Sequence, residues 1–311
     1  MRIVLTEREL DSSQFPSDVQ IVTVTNKTID TYDRNADVFA IAGSRAMAIK
    51  ANQMDFPGLA LFQLTSAGFD GVPLEDFQNK GVMVSNAGST YSAPIAETVV
   101  MGMLLMAKRL RPNPNNRRPK IQRHYVEIQE LHSKKVMILG AGSIGTETAK
   151  RLSGFEMTVD GYAQSERERP YFNRVICGRK ALLDEIGNYD YVISTLPDNE
   201  CTRGFINREL LERMKKTCVI VNVGRKAVIN ERDLLGVLRS RLIGGAVLDM
   251  FERIPNPITN RFRRLNNVIV LPGVSAISRE VNKRLTVCMT RNIAAVLEGN
   301  KPNHLINKVR K

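Results

Sequence analysis

Gly140, Gly142 and Gly145 follow the apolar run Lys135–Leu139, and Thr146–Leu152 beyond them has the spacing of a helix. Three glycines in the pattern G-x-G-x-x-G, between a strand and a helix, suit a pyrophosphate. The first permits the tight turn, the second lets backbone approach the phosphates, and the third lets the helix pack closely on the strand. Ser143 and Ile144 would then open the helix, whose positive end and unpaired N–H groups meet the anion. A dinucleotide site is therefore expected in mid-chain, with room for another domain before it. Other chemistry is poorly represented. Cys177, Cys201, Cys218 and Cys288 form no C-x-x-C pair, and His124, His132 and His304 join no metal-ligand cluster. The cysteines are expected to be reduced, mostly buried thiols of a cytoplasmic protein, and no metal site is expected.

The elements that must position this motif alternate between strand and helix almost end to end, the pattern of parallel α/β layers. Strands are expected at Arg2–Leu5, Val19–Val24, Val38–Ile41, Leu61–Leu64 and Val82–Val84 before the glycines. After them come Met157–Tyr162, Tyr191–Ser194, Cys218–Val223, Ala246–Met250 and Val268–Leu271. Pro94–Leu110 has the pattern of a long apolar helix. Asn230 should cap a helix over Glu231–Leu238, and Ser278 one over Arg279–Leu297. With 311 residues, 43% of them hydrophobic, the chain can fill two cores.

Charged residues at Arg2, Glu7, Arg8 and Glu9 exclude a secretory signal. The longest largely apolar segment, Val99–Ala107, is too short to span a bilayer, so no membrane partner is expected. The net charge is +13. Part of it is concentrated in 108–123, where Lys108, Arg109, Arg111, Arg117, Arg118, Lys120 and Arg123 occur with no acid among them. Few aromatics interleave with these charges, so nucleic acid is not expected as a partner.

Several further motifs stand in order along the chain: Leu64-Thr65-Ser66-Ala67-Gly68-Phe69-Asp70, Asn86-Ala87-Gly88, Pro94-Ile95-Ala96-Glu97, Ser194-Thr195-Leu196-Pro197, Val221-Asn222-Val223-Gly224-Arg225 and Gly245–Phe251. Together with the glycine turn they resemble the D-isomer-specific 2-hydroxyacid dehydrogenases over nearly the whole chain. The resemblance implies an α/β fold of two Rossmann-like parallel-sheet domains. A flavodoxin-like substrate domain (1–100 plus 275–311) would hold an inserted dinucleotide-binding domain (101–274), with the active site in the cleft. It further implies a homodimer acting on a small 2-oxo or 2-hydroxy acid. Cofactor contacts would come from Gly140, Gly142, Ser143, Ile144, Gly145, Leu196, Pro197, Thr202, Val223, Gly224, Asp249 and Ser275. Arg225 would bind the substrate carboxylate and polarise the carbonyl, and backbone N–H groups near Ala67 and Gly68 would hold the same carboxylate.

Cofactor choice turns on the end of the second cofactor-domain strand, where an acid would hold the ribose hydroxyls of NAD. The family position is Ala163, and the rival Asp160 falls inside the strand. Ser165, Arg167 and Arg169 follow, and a hydroxyl with guanidiniums suits a 2′-phosphate. The balance falls on NADP, with NAD possible.

The proton donor is where this chain departs from the family. The histidine expected after Pro272 is Gly273, and its partner glutamate, expected five residues after Asp249, is Ile254. Removing both avoids leaving a buried charge without its partner. General acid catalysis typically contributes about 10²–10⁴-fold. The proton would then come from water, from Lys226, which stands where the family usually has glycine, or from Glu252 or Ser275. Two readings stay open: a reductase with a weakened proton relay, or a non-catalytic dinucleotide-binding sensor on the same fold.

Overall fold

The computed structural model describes residues 1–33, 35–110, 128–249 and 261–308. They form two compact units, Met1–Tyr91 with Ser278–Lys311, and Ser92–Ile277. The basic stretch beyond Leu110, His124, and Met250 to Ile254 with Glu252 lie outside the described residues.

The first unit carries β1 (Arg2–Thr6), β2 (Val19–Thr23), β3 (Val38–Gly43), β4 (Leu61–Leu64) and β5 (Met83–Ser85), with α1 (Arg45–Met54) and α2 (Leu74–Asn79). Its all-parallel sheet has the order β2-β1-β3-β4-β5, the flavodoxin-like winding. Both faces of the central strands β3 and β4 are covered, so these read as apolar runs and not as alternations. Leu5, Ile41 and Phe62 pack with α1 on one face. Val4, Ala40 and Leu61 pack on the other against the C-terminal helix Arg279–Leu297. That helix (α8 below) starts where the cap predicts, with Ser278 Oγ accepting from Val281 N.

A buried polar cluster fastens α8 to the sheet. Asn292, 1% exposed, donates from Nδ2 to Gln63 Oε1 (2.7 Å), Ser85 Oγ (3.0 Å) and Asn303 O (3.1 Å), and its Oδ1 accepts from Asn303 N (2.9 Å). Gln63 is the one polar residue of β4, and this cluster explains why it is tolerated there.

The second unit holds α3 (Ser92–Ala107), β6 (Lys135–Leu139), α4 (Ser143–Ser153), β7 (Thr158–Tyr162), β8 (Arg174–Ile176), α5 (Arg179–Glu185), β9 (Tyr191–Ser194), α6 (Arg208–Glu212), β10 (Val219–Asn222), α7 (Glu231–Arg239), β11 (Gly245–Leu248) and β12 (Val268–Val270). The sheet order is β12-β11-β10-β9-β6-β7-β8, all parallel. Winding reverses between β6 and β9, so the glycine turn leaves β6 at the topological switch point. Asn230 caps α7 as expected, its Oδ1 accepting from Arg232 N and Asp233 N.

Four sequence expectations are corrected. β8 has no counterpart in the sequence reading; it is short and begins on a charged residue. The helix expected to reach Leu110 stops at Ala107, because Arg109 turns left-handed (φ 55°). Leu110 N then bonds Leu105 O, and Arg109 N bonds Met106 O, a Schellman ending. The helical stretch Gly88–Ala107 is 20 residues long, so by length and composition alone it could cross a membrane. It is half buried, however. α3 packs on α4, and a Cβ on Gly102 would lie 2.7 Å from Val247 Cγ1, so the helix sits hard against β11. All of α3 belongs to the second unit, and is not divided at residue 100. The cysteines are free, but only Cys218 is buried; burial pushes its thiol up to about 12.

Asn292→Ala leaves Gln63 Oε1 and Asn303 N buried without this partner. We expect the first unit to lose about 2–4 kcal/mol, read as a lower urea midpoint, while Asn300→Ala at the exposed end of the same segment leaves the midpoint unchanged.

Candidate active site

The glycine turn is fixed by contacts that admit no side chain at two of its three positions. Gly140 leaves β6 with φ 105°. A Cβ on Gly145 would lie 2.2 Å from Gly140 O, so only glycine lets α4 seat on the turn. Thr195, at the end of β9, donates from Oγ1 to the same Gly140 carbonyl at 2.7 Å. Gly142 is different: a Cβ there would meet nothing within 4 Å. It is the N-cap of α4 and supplies no side-chain cap, so the first-turn N–H groups around Ser143, Ile144 and Gly145 have no capping side chain. An open approach to an uncapped helix N-terminus fits a dinucleotide pyrophosphate.

The loops after β9 and β10 lie beside one another. A Cβ on Gly224 would lie 2.8 Å from Leu196 O, so this glycine is set by loop-to-loop contact. Leu196 and Val223 are buried, and Pro197 is exposed. Thr202 fastens its own loop: Oγ1 donates to Pro197 O at 2.6 Å and accepts from Asn199 N at 3.0 Å. Asn222 Oδ1 accepts from Gly224 N, which leads the chain into Arg225 and a short turn over Lys226–Val228. Thr195 and Asn222 are positioning residues whose motifs were visible in sequence but whose contacts were not.

Asp249 organises the position where the family histidine would stand. It is 2% exposed and follows β11. Its Oδ1 accepts from Gly273 N and Val274 N, both at 3.1 Å, and its Oδ2 accepts from Ser275 N at 3.2 Å. Gly273 has φ +74°, a backbone favoured only by glycine. The turn after β12 is thus built around a glycine. Ser275 is buried within this turn.

Beyond β7 the structure separates the rival acids. Asp160 is 4% exposed; its Oδ2 accepts from Arg174 Nε (3.0 Å) and Tyr189 OH (2.7 Å). Arg174 also pairs with Glu185. Burial and the Asp160 carboxylate push the Tyr189 phenol far above its usual range. Asp160 therefore braces β8, and its carboxylate is not presented at the strand end. In the following loop Ser165 is half-buried and Arg167 exposed, and Arg169 Nε is buried without a hydrogen-bond partner.

In the first unit, the loop after β4 has four successive carbonyls held. Thr65 O accepts from Tyr91 OH (2.5 Å), Ser66 O from Ala87 N (3.0 Å), Ala67 O from Asn86 Nδ2 (2.7 Å) and Gly68 O from Ser66 Oγ (2.7 Å). The N–H groups of Ala67 and Gly68 donate to no acceptor among the described residues. A loop whose carbonyls are occupied and whose N–H groups are not is suited to an anion.

Asp249→Asn keeps the shape but cannot accept all three N–H bonds. We expect a loss of about 2–3 kcal/mol and faster hydrogen exchange at Gly273, Val274 and Ser275, with the amides of β6 unchanged. Unchanged exchange at those three positions would refute the anchoring role.

Comparison with known proteins places this geometry. Residues 100–275 match the model of the D-isomer specific 2-hydroxyacid dehydrogenase NAD binding domain. A glyoxylate reductase from Thermofilum pendens is 30% identical over 278 residues, spanning 84% of this chain and 78% of its own. The crystal structure of a D-isomer specific 2-hydroxyacid dehydrogenase family protein from Aeromonas salmonicida superposes with a TM-score of 0.79 at 25% identity, covering 98% of each chain. An NADPH-dependent glyoxylate/hydroxypyruvate reductase from Sinorhizobium meliloti, crystallised with NADP and malonate, shares the fold at 22% identity. Its TM-score is 0.76, over 100% of this chain and 99% of that one. With its glycine turn at the switch point of a sheet of this winding, the chain belongs to the D-isomer-specific 2-hydroxyacid dehydrogenase family.

Proposed function

We propose that this protein is an NADP-preferring reductase of small 2-oxo acids whose turnover is limited by proton delivery. The observation that carries the reading is the pairing of an intact phosphate cradle at Gly142 with a glycine-specific backbone at Gly273. The first retains dinucleotide binding, and the second removes the imidazole.

A bound nicotinamide dinucleotide would supply the hydride. Its pyrophosphate is assigned to Gly140, Gly142, Ser143, Ile144 and Gly145, and flanking contacts to Leu196, Pro197, Thr202, Val223, Gly224, Asp249 and Ser275. Preference for the 2′-phosphate rests on three features: Ala163 supplies no acid, Asp160 is committed to Arg174 and Tyr189, and Ser165 and Arg167 stand in the loop beyond. Arg225 is the catalytic residue, binding the substrate carboxylate and drawing electron density from the carbonyl. In the first unit the N–H groups of Ala67 and Gly68 are donors for a carboxylate. α3 leaves Met101 44% exposed with Leu104, Leu105 and Met106 half-buried, an apolar stretch compatible with a homodimer.

The alternative, a dinucleotide-binding sensor without turnover, is favoured by the absence of both relay residues, at Gly273 and Ile254, and is separated by one assay. NADPH oxidation with glyoxylate, hydroxypyruvate and pyruvate should be slow but measurable, and Arg225→Ala should abolish it with NADPH binding retained. Arg167→Gln should weaken NADPH binding about tenfold and leave NADH binding unchanged. Tight NADPH binding with no turnover on any of these acids identifies the sensor.

The relay can also be rebuilt. Gly273→His with Ile254→Glu should raise the rate at neutral pH, at a cost of about 1–2 kcal/mol for a side chain at positive φ. A folded, NADPH-binding double variant with no gain shows that proton delivery is not limiting.

A further inference from the structure

A cavity of about 220 Å³ opens in the first unit between the turn Gly88–Tyr91 and the middle of α8. No carboxylate among the described residues lines it, while Arg284, Arg291 and His304 do. Arg284 is held in place, donating from Nε to Thr90 O at 3.1 Å. Arg291 lies two turns further along the same face of α8 (i, i+7) and makes no side-chain bond among the described residues. Glu280, one turn before Arg284 and fully exposed, feels the Arg284 charge but does not line the cavity.

The floor is rigid and polar. Asn292 reaches it from the buried cluster with Gln63, Ser85 and Asn303, and that cluster fixes its orientation. Cys288 completes the wall as a neutral thiol, because burial raises its pKa. Ser89 adds a hydroxyl, and the Thr90 side chain is hydrogen-bonded to the Cys288 thiol. Guanidiniums gathered at a concave surface focus positive potential there and recognise planar or tetrahedral oxyanions by paired N–H bonds. The volume lies below the roughly 300–1,000 Å³ of drug-sized ligand sites, so the occupant is small.

We propose that this cavity is a second anion site, separate from the dinucleotide cradle, taking a small multiply charged oxyanion such as inorganic phosphate or a short dicarboxylate. The anion joins the Arg284 and Arg291 guanidiniums to the hydroxyl of Ser89. It thereby ties α8 to the turn that the chain follows into α3. None of the residues assigned to cofactor or substrate takes part.

The test is isothermal titration of the full-length protein with inorganic phosphate, and in parallel with succinate, at constant ionic strength set by potassium chloride. We expect saturable binding of at least one of the two, with the better ligand naming the anion class. Arg284→Gln with Arg291→Gln should weaken it about tenfold or more, and Arg167→Gln in the other unit should leave it unchanged. Both arginines are exposed, so the double variant should fold, which its thermal midpoint will verify; Arg291→Gln alone should give an intermediate loss. The proposal is overturned if neither anion saturates below about 10 mM. It is equally overturned if the double variant binds like the parent, or if the loss follows Arg167→Gln instead.

Discussion

At the carbonyl of Gly140, three parts of the second unit meet. Strand β6 ends there, Thr195 Oγ1 from the loop after β9 donates to it, and α4 passes so close that Gly145 can carry no Cβ. The contact fixes where α4 begins, and hence where its uncapped N–H groups point. It also draws the loop after β9 to the switch point, and that loop in turn sets Gly224 against Leu196 and so the approach to Arg225. A single added methyl at Gly145 would have to move helix or strand, and the cradle would move with it.

A second constraint governs the opposite side of this region. Asp249 gathers three N–H groups of the turn after β12, and Gly273 takes the left-handed conformation that lets them converge. In sequence, Gly273 is an absent side chain. In three dimensions it is also a left-handed turn residue, in a conformation that an L-residue enters only with strain. The buried carboxylate of Asp249 has hydrogen bonds enough to be accommodated without an imidazole nearby.

Much of the fold was legible because its signals are local. Parallel strands buried on both faces are apolar runs, and those of β3, β4, β6 and β9 to β12 stand out as such. Asn230 and Ser278 announce their helices because a cap depends on the side chain of one residue and the N–H two or three positions on. β8 was not legible: three residues beginning with Arg174 form a strand only because Asp160 and Glu185 receive that arginine. The end of α3 was missed for a related reason, since Arg109 occupies a left-handed position that glycine usually marks.

The sequence by itself determined the glycine spacing, the order of the motifs, the absence of the histidine at 273 and of the glutamate at 254, and the arginines available to anions. These are properties of residue type and interval, and folding does not alter them. Tertiary structure decided which polar groups were already committed. Asp160 is committed to Arg174 and Tyr189, Thr202 to its own loop, Asp249 to the turn after β12, and Asn292 to a buried cluster beneath two arginines. The physical reason is that a buried polar group must find a partner, and its partner is usually distant in the chain: 229 residues separate Asn292 from Gln63. Such pairs follow from how sheets and helices stack, which no local pattern encodes.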